Sequence, residues 1–61
     1  MLTAHDYYRA AKYLISTHGV DAGPRAAARA AQLAGEASPI VCEMWRLLAV
    51  TIREIEQQAA A

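Results

Sequence analysis

The stretch from Ile40 to Ile55, IVCEMWRLLAVTIREI, decides the fold. No Pro or Gly interrupts it, and its apolar residues recur at helical spacing. At about 100° per residue, Val41, Cys42, Trp45, Ala49 and Ile52 run down one flank, while Ile40, Met44, Leu47, Leu48 and Ile55 run down the other. The two flanks together span roughly 220°, wider than the stripe of an ordinary surface helix. Glu43, Arg46, Arg53 and Glu54 fill most of the remaining arc, and Val50 is stranded among them. A helix with this much apolar surface needs at least two partners. They are the other helices of its own chain, or one of those and a second copy of the protein.

Working outward, Ser38-Pro39 marks the start of this helix, a side-chain cap followed by proline at the first helical position. The helix is expected over 39–58, with Ala59 to Ala61 frayed because terminal residues have little to pack on. Upstream, a helix is expected over 22–34, capped by Asp21, tolerant of Pro24 in its first turn and ended by Gly35. Its body is almost entirely Ala. Arg25, Arg29, Gln32 and Glu36 form a narrow polar stripe, which assigns Ala27, Ala30, Ala31, Ala34 and Leu33 to packing.

Thr3 followed by Asp6 reads as a capping-box variant that opens a helix over 3–18. Tyr7, Tyr8, Ala11, Leu14, Ile15 and His18 share its apolar face with Ala4, and Tyr13 sits among polar residues. Gly19 is expected to stop this helix in a left-handed conformation, with Val20 folding back onto Ile15. No strand pattern occurs. The expected fold is therefore all-α, a small three-helix bundle (about 3–18, 22–34 and 39–58) with short connections, in a single domain over 1–61 without a linker.

A chain of 61 residues buries only about 60% of its unfolded surface, so a deep internal cleft is not expected. Phe is absent and Ala inflates the 56% apolar content, so self-association would add stability the core lacks. Six acidic and six basic residues balance to zero, which removes any global field for nucleic acid or an anionic membrane. The N-terminal residues do not resemble a secretory signal, and no run approaches the ~20 apolar residues of a membrane span. With a single cysteine, Cys42, the expected location is the cytoplasm.

The constellations that carry chemistry are sparse. His5 and Asp6 are adjacent, and adjacent helical residues do not face each other. No pair of His or Cys has the ligand spacing of a zinc motif, so neither metal nor cofactor is expected. His18 reads as a cation at a helix C-terminus, and Cys42 as a small packed residue; a Cys42–His18 nucleophilic pair rests only on residue identity. Arg25 and Arg29 open the second helix where a helix-turn-helix would read bases, which makes a nucleic-acid-binding regulator the alternative reading. That helix offers Ala where a recognition helix offers polar side chains, which counts against it.

Ala10-Ala11-Lys12-Tyr13-Leu14 through His18-Gly19, Ala26 to Leu33, and Met44-Trp45-Arg46-Leu47-Leu48 with Ile52 resemble a family of short uncharacterised three-helix bacterial proteins, a domain of unknown function. The resemblance spans nearly the whole chain and implies a small helical fold, with no substrate and no catalytic residue. The Ala-rich second helix and tail depart from the pattern.

The sequence therefore points to a small helical interaction or accessory domain, not an enzyme, with no small-molecule substrate. Its expected partner is a second copy or another helical protein, and its candidate surface is Ile40, Met44, Leu47, Val50 and Tyr13.

Overall fold

In the computed structural model, residues 3–36 and 38–60 are described, and among them every regular element is helical. They form two unbroken helical runs, 4–33 and Pro39–Ala60, which corrects the expected three-helix bundle with two short connections. The first run has two arms, Ala4–His18 and Ala22–Leu33, joined directly by the 3-10 turn Gly19–Asp21. Only the connection after Leu33 leaves helical structure.

Local chemistry explains the correction. Gly19 does take a positive φ, at φ 61° and ψ −132°, and its N–H donates to the Ile15 carbonyl. Its ψ is not that of a left-handed helical cap, however, and the chain re-enters helical dihedrals at once. Asp21 was expected to cap a new helix with its side chain. It lies in the right-handed helical region, with no side-chain cap hydrogen bond, so the turn hands its backbone on to the second arm. Val20, expected against Ile15, is 85% exposed, because the turn directs it outward. Gly23 precedes Pro24 inside a helix, a setting in which a Cβ would press on the proline ring.

The two predicted starts are present. The Thr3 N–H donates to Asp6 Oδ2 (2.8 Å) and the Asp6 N–H donates to Thr3 Oγ1 (3.3 Å), a complete capping box. The Val41 N–H donates to Ser38 Oγ (3.3 Å) ahead of the long helix. That helix continues to Ala60, past the expected end at 58, and the expected frayed residue Ala61 lies outside the described residues. The second arm ends at Leu33, and turns occupy 34–36.

The long helix is the spine. Its 22 residues rise about 33 Å at 1.5 Å each, which accounts for most of the 36 Å long axis. The second arm packs along it most extensively, the first arm less, and the two arms touch each other least. The core cluster is Ala11 of the first arm, Ala22 and Ala26 of the second, and Leu48 and Ile52 of the spine. Tyr7, Leu14, Ile15 and Trp45 close around it, half-buried. Every large side chain in the buried cluster thus comes from the spine, as the Ala-rich second arm requires. In a straight helix Ala11 and Ala26 would lie about 22 Å apart; the bend at Gly19 brings both into one core.

The packing face of the second arm is rotated from expectation. Ala22, Ala26 and Ala30 are buried, whereas Ala27, Ala31 and Ala34 are exposed. An all-alanine surface has no size contrast, so periodicity alone does not aim it. On the first arm, Ala4 and Tyr8 are also exposed.

Candidate interaction surface

The bend and the spine together decide which apolar side chains find no partner. The arms cover roughly half of the spine's circumference, centred on Leu48 and Ile52. Residues beyond that arc are exposed whatever their chemistry: Glu43, Arg46, Leu47, Val50, Arg53 and Glu54. Leu47 (40%) and Val50 (54%) are the large apolar members of this outer face, and Ile40 (74%) stands about two turns before Leu47 at its edge.

The five sequence-derived candidates do not form one patch. Ile40 and Met44 line a groove of about 420 Å³ with Tyr7, Pro39 and Glu43, beside the first arm, and Met44 is half-buried there. Val50 lines a different groove of about 570 Å³ beside the second arm, with Gly23, Pro24, Ala27 and Ala49. Leu47 stands on the ridge between them. Tyr13 lies on the outward side of the first arm, exposed, and joins neither groove. Both grooves are open to solvent.

Two polar contacts beside the ridge are made within the long helix itself. Arg46 Nη1 donates to Glu43 Oε2 at 2.7 Å in an exposed pair one turn apart. The Thr51 hydroxyl donates to the Leu47 carbonyl (2.8 Å), which occupies its O–H within its own helix. Val20, at the bend, is an exposed apolar residue that sequence reasoning assigned to packing; nothing in the helical periodicity signals that the turn points it outward.

The residues considered for chemistry are placed as follows. The Cys42 thiol, half-buried, donates to the Ala30 carbonyl (3.4 Å) across the contact between spine and second arm. His18 closes the last turn of the first arm. Among the described residues no hydrogen bond joins His18 to Cys42, and no three His, Cys, Asp or Glu side chains converge on a metal position. Arg25 and Arg29 are exposed, and Arg29 Nη1 donates to Gln32 Oε1 (3.1 Å) within the polar stripe. Lys12 Nζ lies 5.5 Å from the centre of the Tyr8 ring, a cation over an aromatic face. Asp6 titrates below the usual carboxylate range, chiefly because the Thr3 N–H and hydroxyl donate to its charged form.

No family model, curated protein or solved structure matches this chain. The resemblance to short bacterial helical proteins therefore rests on its residues alone, and function has to be argued from the surface. Among the described residues, no helix is long and apolar enough to cross a membrane.

Proposed function

We propose that this chain is a small, non-catalytic helical interaction domain that engages a helical partner, a second copy among them, through the outer ridge of the long helix. The observation that carries the reading is the exposure of Ile40, Leu47 and Val50 at i, i+7 and i+10 on one helix. Single exposed apolar residues are ordinary. Three within three turns of the element that also supplies the core are not scattered.

Surface area supports the same reading. A compact monomer of 6.6 kDa exposes about 3,900 Å², and this chain exposes 4527 Å². The excess, roughly 600 Å², is comparable to the ~800 Å² that each partner contributes to a standard interface. The Cα radius of gyration, 11.3 Å, likewise exceeds the ~10.5 Å of a compact chain this long. Under this reading the chain works in the cytoplasm, where its free thiol stays reduced.

Sedimentation equilibrium from 10 µM to 1 mM tests the proposal, comparing the natural chain with Leu47→Glu and Val50→Glu. Association that rises with concentration and is lost in both variants is the expected result. Association unaffected by either change refutes the ridge as the interaction surface, and a monomer throughout refutes self-association.

A further inference from the structure

Charge and side-chain size are sorted to the two sides of Val50 on the long helix, and the sorting decides how a second copy sits against it. At about 100° per residue, Glu43, Glu54, Leu47 and Ile40 fall about 20–80° to one side of Val50. Arg46, Arg53, Cys42 and Ala49 fall about 40–100° to the other. One flank is thus acidic with large apolar side chains, and the opposite flank is basic with small ones. Arg46 is paired with Glu43 across the crest, whereas Arg53 and Glu54 have no charged partner among the described residues. They are exposed neighbours in sequence whose side chains diverge by about 100°, so they do not pair with each other.

We infer that the partner of the ridge is a second copy of this chain, its long helix parallel to and in register with the first about a two-fold axis running beside Val50 and Gln57. This rests on the ridge being the surface of association. A two-fold axis parallel to the helices sets the acidic flank of each copy against the basic flank of the other. Glu54 of one copy then stands level with Arg53 of the other, because the two positions differ by only about 1.5 Å in height. Leu47 of each copy meets the small-residue flank, at the groove of about 570 Å³ that Ala49, Val50 and Arg53 help to line. Val50 and Gln57, about 20° apart around the helix, meet their own counterparts at the axis. Such a contact is self-complementary and closes at two copies.

An antiparallel pairing through the same crest fails on the same charges. It opposes like flanks, so Arg46 and Arg53 of one copy face those of the other while Glu43 and Glu54 do the same. Like charges set against each other suppress that pairing, which leaves the parallel one. The large side chains fare no better there, since Leu47 of the two copies would crowd one side and Ala49 leave the other unfilled.

Disulfide trapping at Gln57 tests the arrangement. This exposed residue lies beside its counterpart in the parallel pair and about 21 Å from it in an antiparallel pair centred on Val50. The chain carries Gln57→Cys with Cys42→Ala, so that one thiol remains, in a glutathione redox buffer. Paired thiols act at an effective concentration in the millimolar range, so at about 100 µM protein the disulfide dimer should form at least tenfold faster than in the same chain bearing Val50→Glu. Charge exchange gives a second readout on exposed residues, each chain being checked for helicity. Arg53→Glu and Glu54→Arg, each alone, should weaken association about tenfold in sedimentation equilibrium, and the two together should restore it. Association that Val50→Glu abolishes, without trapping at residue 57, overturns the parallel pairing and leaves the ridge standing. A doubly exchanged chain as weak as the single variants, or trapping that Val50→Glu does not slow, overturns it too. A natural chain that stays monomeric overturns both this inference and self-association through the ridge.

Discussion

Ile52 is the largest fully buried side chain, and its truncation is the sharpest probe of the fold. Its Cγ2 sits 3.6 Å from where a Cβ on Gly23 would be, so it packs directly against second-arm backbone beside Ala22 and Ala26. On the second-arm side its neighbours are alanine methyls and helix backbone, which cannot swing into the space; the longer side chains of the cluster, Leu48 with half-buried Leu14, Ile15 and Trp45, lie on the other two elements. A cavity made by Ile52→Ala would stay largely open, which places the cost within the 2–5 kcal/mol range, at about 3–4 kcal/mol. Total stability for 61 residues is roughly 3–9 kcal/mol at the usual 0.05–0.15 kcal/mol per residue. A buried cluster made mainly of alanine belongs at the lower end, so one substitution removes most of it. Thermal unfolding followed by circular dichroism at 222 nm should show a midpoint lowered by more than about 12 °C, or no cooperative transition at all. A midpoint within about 4 °C of the natural chain would show that Ile52 is not enclosed, and would refute the packing of the second arm on the spine.

Thr3→Ala removes both hydrogen bonds of the Thr3 hydroxyl, keeps the bond from the residue-3 N–H to Asp6, and should cost about 1 kcal/mol, read as a lower unfolding midpoint in the same assay. Asp6 titrates below its ordinary 3.8 in the folded chain, so its contribution is fully present above that value and is lost as pH falls through the lowered folded value; in Thr3→Ala, which keeps the backbone N–H bond but loses the hydroxyl's, the loss on acidification below 3.8 should shrink in part. Val20→Ser changes an exposed apolar residue at the bend and should alter stability by less than about 0.5 kcal/mol in urea unfolding, whereas a loss above 1 kcal/mol would mean that Val20 packs after all.

Much of the fold could be read from the sequence because it was written in contrasts of size and polarity. Thr3 with Asp6 and Ser38 with Pro39 are short polar signals beside apolar runs, and both helix starts lie where these residues place them. Leu48 and Ile52 were legible as core because they lie mid-arc on a helix whose opposite side is charged. The second arm had no such contrast. With alanine at 22, 26, 27, 28, 30, 31 and 34, several rotations bury equal area, and the one adopted is set by contact with Ile52 and with Ala11 of the other arm, both distant in sequence. Gly19 was legible as a special backbone position, but a glycine that ends a helix and one that bends a run share the same signal. The difference lies in ψ, and no residue type reports that. For the candidate surface, periodicity singled out Ile40, Leu47 and Val50, which are exposed; it did not separate Met44, which is half-buried, or show that Tyr13 faces away from the ridge.

The central functional claim is that the outer ridge of the long helix is the surface through which this chain associates. Amide chemical shifts of the nitrogen-15-labelled chain, recorded from 20 µM to 1 mM, test it residue by residue. The account predicts concentration-dependent shifts concentrated at Ile40, Leu47, Val50 and Glu54, with Tyr13 and Ala31 unchanged. Shifts centred on Tyr13, on Val20 or on the exposed alanines of the second arm, or none anywhere across the series, would contradict it.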